Sequence, residues 1–357
     1  MWRKSRLLTT RAYLLSCTAV FLSLAPNAEG AKLYGSGGGG VMIIDTLTNT
    51  VDTTVLLPLF VESLPSSSGT NFQRIVESSL ALDQRTAYFT TASPTLAQRG
   101  IVTFDTATNT FGTWYPMPYR RVHKVGVTRD LDTMFVVDQG CADDDPCADP
   151  RGSGYVHVVA LATGTVITSI PIPQQSFDGV LSPDGAKFHV PHRDAGYVSV
   201  IDTASRSVVK TIPAARGAHD IVISPDGSRG DGQDVYVANS DLGPNSNPGA
   251  GSISAIISPA DTLGATFPVP RPTPSGLTFS PNGRVLYVLG SGSRLVVVLD
   301  TQTHQVARIE AEADPVAVAF SPTNGGRAYI ANQGGNSVSV FDTTNFPPSK
   351  LVTVAVR

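Results

Sequence analysis

Two histidines, three carboxylates and a lysine stand at matching distances before a recurring tight turn. Counting back from the residue before Pro in Ser-Pro-Asp-Gly and its variants, the fifth position upstream holds Glu77, His123, Phe177, His219, Ser275 and Val316. The fourth holds Ser78, Lys124, Asp178, Asp220, Gly276 and Ala317. Glu77, His123, Lys124, Asp178, His219 and Asp220 are therefore the candidate ligand-binding residues. Imidazole beside carboxylate can hold a transition metal or do acid–base work. The competing reading is a hydrated polar lining, since no two histidines show close metal-ligand spacing.

A second acidic group lies in the run from Cys141 to Gly154, which contains Asp143, Asp144, Asp145 and Asp149. Hard oxygen ligands suit Ca2+. The spacing is not that of an EF-hand, and a solvated acidic loop explains the same residues. The flanking Cys141 and Cys147 are expected to form a disulfide in an exported chain. Closing so short a loop would stiffen the loop more than the fold.

Other chemistry is missing. The sequence has no Gly-x-Ser-x-Gly elbow, phosphate loop, His-Glu-x-x-His or Cys-x-x-Cys-His. The glycine runs at 35–40 and 334–335 are not followed by helical patterns, so they read as turns. His157 and His189 fall inside strand patterns and are expected to be packed. Trp114, Tyr115 and Tyr119 are expected between blades or along a contact surface.

The elements that must position these groups are short strands. Only 15% of the 357 residues are charged, while Gly and Pro number 33 and 26, which favours strands joined by tight turns. Residues 1–30 differ: a basic start with Arg3, Lys4, Arg6 and Arg11 precedes an apolar run over 12–25 and small residues. This is the pattern of a cleaved signal peptide, and the apolar run is shorter than a membrane span requires. Secretion or a periplasmic location follows as an expectation, with 31–357 a single domain. Removing the leader makes a chain of formal charge −3 more acidic, which disfavours nucleic acid as a partner.

An internal repeat decides the architecture. Asp-Thr follows an apolar strand at Asp45, Asp105, Asp202, Asp300 and Asp342, with degenerate copies at Ala160 and Ser258. A spacing of 42 residues recurs among these markers. Each period holds four strands, A to D. Strand A precedes Ser-Pro-Asp-Gly or a variant, and strand B follows it (VYVAN at 235–239, AYIAN at 328–332). Strand C carries the aspartate, and strand D closes the period. Pro at φ near −65° and Gly at positive φ make the A–B step a tight turn. Strands A and C are apolar at nearly every residue, as for strands buried on both faces. The expectation is an all-β, seven-bladed β-propeller of four-stranded antiparallel blades. Strand A has only six copies, so either the first blade is incomplete or its innermost strand lies beyond Arg357.

The pattern SVSVFDTTN, strand D, then Pro and an apolar run to Ser-Pro resembles the YVTN-type propeller repeat. Val237-Ala238-Asn239 and Ile330-Ala331-Asn332 carry the strand-B motif of that family, which is related to WD40-like repeats. The likeness covers residues 31–357. It implies the propeller fold and leaves function open among binding scaffolds, lactonases and cofactor-carrying redox subunits. The B–C loops at 35–40, 92–100, 139–154, 192–196, 239–251, 291–293 and 333–336 carry most of the variation, and variable loops on a rigid scaffold are where binding resides. The reading is a monomeric binding scaffold for a protein, peptide or saccharide, without catalysis. The alternative is a small-molecule enzyme, such as a lactone hydrolase, or a metal or redox accessory propeller acting through the channel-mouth residues.

Overall fold

A computed structural model of the chain describes residues 99–117, 122–140, 154–173, 175–225, 233–240, 250–258, 260–270, 273–290, 292–321 and 326–355. It also describes the segments 21–23, 32–37, 40–45, 50–56, 74–80 and 85–92. Six four-stranded sheets succeed one another from Arg74 to Ala355. The first contains β5 (Arg74–Leu80), β6 (Thr86–Ala92), β7 (Gly100–Asp105) and β8 (Thr110–Pro116). The next contains β9 (Val122–Val127), β10 (Thr133–Asp138), β11 (Gly154–Ala160) and β12 (Val166–Ile172). Then come β13 (Val180–Leu181), β14 (Lys187–His192), β15 (Tyr197–Asp202) and β16 (Ser207–Pro213). The fourth holds β17 (Ala218–Ile223), β18 (Gln233–Asn239), β19 (Ala250–Ile257) and β20 (Thr262–Pro270). The last two are β21 (Pro274–Phe279) to β24 (Val306–Glu310) and β25 (Pro315–Phe320) to β28 (Ser349–Ala355). Strand order within every sheet is sequential and the pairing antiparallel.

These sheets are propeller blades, six where the repeat predicts seven. A further four-stranded sheet precedes them: β1 (Phe21–Ser23), β2 (Lys32–Gly37), β3 (Gly40–Asp45) and β4 (Thr50–Leu56). Its innermost position is filled by β1, where Leu22 pairs with Tyr34. That corrects the expectation that the first blade is incomplete or takes its innermost strand from beyond Arg357. The strand lies within the segment read as a leader. First strands of neighbouring sheets lie side by side, β5 against β9, β17 against β21 and β21 against β25, while β1 touches both β5 and β25. Among the described residues no helix is long and apolar enough to cross a membrane.

Burial follows the radial order. Strands B and C are buried almost throughout, as in β10, β22 (Val285–Gly290) and β23 (Leu295–Asp300). Outer strands such as β16 and β28 are exposed along most of their length. Innermost strands do not meet the expectation of full burial. In β9 and β21 buried residues alternate with half-buried pairs, because one side packs on a neighbouring blade while the other faces the channel. Tyr236, Tyr287 and Phe341 fill the space between blades. The Tyr236 and Phe279 rings meet edge to face at 5.4 Å, a favoured aromatic geometry.

The repeat markers set turns, as their residue types require. Ser182 Oγ donates to Asp184 Oδ1, Ala186 N–H donates to the same oxygen, and Gly185 takes φ of 75°. Thr128-Arg129-Asp130-Leu131 performs the same turn, with Leu131 forced to φ of 59°. Asp300 Oδ1 accepts from Gln302 and Thr303 N–H, and Thr301 Oγ1 donates to Arg284 O. The Asp thus closes the C–D turn while the Thr ties that turn to the A–B turn beside it. Asp105, Asp202 and Asp342 close their turns in the same way.

Candidate functional site

The innermost strands open with a β-bulge. Ala218 faces Asn239 and Asp220 faces Ala238, so His219 is the extra residue. Ser275 and Val316 are extra in the same way. A bulge releases a residue from the ladder and re-aims its side chain, which is how His219 leaves the sheet at the loop end of the blade.

The registers correct one candidate. Glu77 faces Thr90 and Ser79 faces Tyr88, as Asp220 faces Ala238 and Val222 faces Tyr236. Glu77 therefore occupies the position of Lys124, Asp178 and Asp220, and Val76 that of His123 and His219. The Glu77 side chain lies outside the described residues. So do Asp143, Asp144, Asp145, Asp149, Cys141 and Cys147, together with the Ca2+ and disulfide expectations that rest on them. Among the described residues no three His, Cys, Asp or Glu side chains are grouped as a metal site requires.

Lys124, Asp178 and Asp220 do come together, one from each of three consecutive blades. Lys124 Nζ lies 3.3 Å from Asp178 Oδ1. Ile221 N–H donates to Asp178 Oδ2 at 3.2 Å and to Asp220 Oδ1 at 3.0 Å. Asp220 Oδ2 accepts from Leu277 N–H in the following blade. Burial pushes both carboxyls up. For Asp178 this is outweighed by the Lys124 charge, a hydrogen bond with Asp220 and the Gly179 and Ile221 amides, so its pKa falls below the usual range. For Asp220 the balance is reversed: burial, then the hydrogen bond and charge of Asp178, outweigh the Lys124 charge and the Leu277 amide and raise it well above the ordinary value. The charged form is thus favoured at Asp178 and the neutral form at Asp220.

A second group stands at the loop end. His123 Nε2 lies 2.9 Å from Gln139 Oε1, whose amide Nε2 donates to Gln175 Oε1 at 3.2 Å. The His123 and Phe177 rings meet edge to face at 5.3 Å. Arg193 lies over Phe177, its guanidinium carbon 5.9 Å from the ring centre. His219 Nδ1–H donates to Gly217 O at 2.8 Å, which leaves Nε2 as the acceptor. Burial, together with the nearby Arg193 charge, lowers the His219 pKa and keeps the ring neutral. Sequence reasoning missed Gln139 and Arg193. Both sit at loop ends, and the signal was only that Arg193 follows the last residue of a strand-B pattern.

The other histidines serve the frame. At the end of strand B, a polar side chain reaches the middle of strand C in four blades. Asn239 Nδ2 donates to Ser254 Oγ, and Asn332 Nδ2 donates to Ser339 Oγ, both at 3.0 Å. His192 Nε2 meets Ser199 Oγ at 2.7 Å, and burial drops the His192 pKa to about 4. Asp138 and His157 are the fourth version, at 3.4 Å, with Ser169 Oγ 2.8 Å from His157 Nδ1. That Asp–His–Ser order looks catalytic, yet it occupies the clamp position of the other blades. His189 is fully buried, and neither ring nitrogen has a hydrogen bond. It is packed as expected but not paired, its Nε2 3.8 Å from Asp261 Oδ1. Tyr115 is buried, and its hydroxyl donates to Leu161 O of the next blade, so it packs between blades rather than lining a contact surface.

The fold has solved counterparts. A chain titled Kuenenia stuttgartiensis hydrazine synthase matches with a TM-score of 0.62 at 16% identity, over 82% of this chain and 90% of that one. A functionally unknown protein from Desulfotomaculum acetoxidans matches with a TM-score of 0.61 at 14% identity, over 94% and 95%. Both likenesses show the fold alone. No protein-family model matches the chain, and no curated protein matches it in sequence.

Proposed function

We propose that this chain is an exported, seven-bladed propeller that binds a ligand at the loop end of its central channel and does not turn it over. The ring is completed by the N-terminal sheet, supported by the contact of β2 with β5, which lies outside the leader. The ligand is a protein, peptide or saccharide, and the propeller itself is a monomer of the YVTN-repeat type.

One observation carries the reading. The groups that could do acid–base work are already engaged by the scaffold, whereas those at the mouth are not buried in its frame. Asp178 and Asp220 accept backbone amides of the next blades, and a catalytic carboxyl needs a free oxygen within reach of substrate. His123, Phe177, Arg193 and His219 are instead half-buried at the loop end, an aromatic and cationic surface of the kind that anchors recognition. The lactone-hydrolase alternative is tested directly. Purified protein is given a panel of γ- and δ-lactones and aryl esters. The expected result is no hydrolysis above buffer. Turnover by the wild type that is lost in Asp178→Asn would establish the enzyme instead.

A further inference from the structure

We infer that the mouth is a carboxylate-binding site whose anchor is Arg193, an inference that rests on the loop-face reading above and names its ligand chemistry. Arg193 begins the turn after β14. Its own N–H donates to Gln175 O, and its carbonyl accepts from Gly217 N–H. The backbone is therefore held from both neighbouring segments, and the side chain is presented from a fixed base.

The charges around it are accounted for. Lys124 faces Asp178. Asp178 and Asp220 accept backbone amides of the following blades, and His219 donates to Gly217 O. His123 is bonded to Gln139. Among the described residues no carboxylate lies within ion-pair distance of Arg193, the adjacent exposed Asp194 included. Arg193 is thus left as a half-buried positive charge at the mouth, with the exposed Arg216 near the same turn.

Its shape selects the anion. A guanidinium beside an aromatic ring is a planar fork of N–H donors. That fork matches a carboxylate with two parallel hydrogen bonds. Phe177 adds an apolar surface next to the fork. The ligand class is an organic acid carrying a flat or apolar group, either a free small molecule or the C-terminus of a peptide.

Calorimetric titration of the full chain tests this with four probes: benzoate, N-acetylphenylalanine, its amide, and a tripeptide ending in Phe with a free C-terminus. Inorganic phosphate serves as the competing anion. Free acids should bind, the amide at least tenfold more weakly, and Arg193→Gln should lose at least tenfold, as for loss of a charge-assisted pair. Arg193→Lys should recover only part of the affinity. Tighter binding of the tripeptide than of benzoate assigns a peptide terminus, and the reverse a small acid. Near-ultraviolet circular dichroism checks that each variant keeps the fold, with Lys350→Gln as a control far from the mouth. Equal binding of acid and amide, undiminished affinity in Arg193→Gln, phosphate binding as tightly as benzoate, or no binding by any probe would each overturn the inference. None of these results bears on saccharide or internal-peptide binding at the loop face, which is measured separately on arrays.

Discussion

Asp178 and Asp220 meet on one amide. Ile221 N–H lies 3.2 Å from Asp178 Oδ2 and 3.0 Å from Asp220 Oδ1. The contact spans two blades, and Lys124 and Leu277 extend it to four. Interior charges are retained only where they are paired and hydrogen-bonded, and here backbone amides of the next blade supply that satisfaction.

This pair gives the fold a distinctive pH response. Asp220 is raised in the folded state, so its folded form binds a proton that the unfolded form releases above about pH 4. Its contribution is fully present below the unfolded pKa and is lost as pH rises through the folded pKa. Asp178 has the opposite sign: lowered in the fold, it stabilises above its unfolded pKa, and that stability is lost as pH falls through the folded value. Thermal melts from pH 4 upward should show a decline traceable to Asp220, with a slope of at most about 1.4 kcal/mol per pH unit. Asp220→Asn should remove that decline. An unchanged pH profile in Asp220→Asn would contradict the upward shift of Asp220.

Removal of a strand-B clamp should be costly. Asn239 Nδ2 reaches Ser254 Oγ at 3.0 Å and Ser252 O at 3.2 Å, and Asn239 is fully buried. Asn239→Ala strands those partners, so a loss of about 1–3 kcal/mol is expected in urea unfolding. Asn332→Ala should behave alike.

Gly100 tolerates no side chain. A Cβ there would lie 2.4 Å from Tyr115 O and 2.6 Å from the Trp114 ring. Gly100→Ala must push β7 and β8 apart, and about 1–3 kcal/mol of destabilisation is expected by the same unfolding measurement.

Cys141 and Cys147 are expected to form a disulfide under the export proposed above. A thiol assay on unfolded, unreduced protein should find neither cysteine free; two free thiols would reject the pairing.

The blades were legible because their turns are written in local chemistry. Asp300 and Thr301 close and tie a turn wherever they recur, and Ser182-Pro-Asp-Gly fixes the neighbouring one. Glu77 was misplaced by one residue because Ala81-Leu82 stands in place of Ser-Pro, so the turn from which the count is made has no sequence mark there. The innermost strand β1 was hidden because an apolar triplet inside a leader-like run has no period of its own. The role of Asn239 was not legible either. Its partner Ser254 lies across a loop, and only the strand register shows that Asp138, His192 and Asn332 do the same work. Arg193 was missed because its value comes from Phe177, placed beside it by the segment that leads into β13 of the same blade.

We place ligand binding at the loop end of the channel, through Phe177, Arg193 and His219. Peptide and glycan arrays probed with wild-type protein, a Phe177→Ala/His219→Ala variant and a short-turn-face variant, Asp342→Asn, measure it most directly. Ligand signals seen with the wild type should be lost in the mouth variant and kept in Asp342→Asn. Signals that survive in the mouth variant, or that vanish in Asp342→Asn, would contradict it.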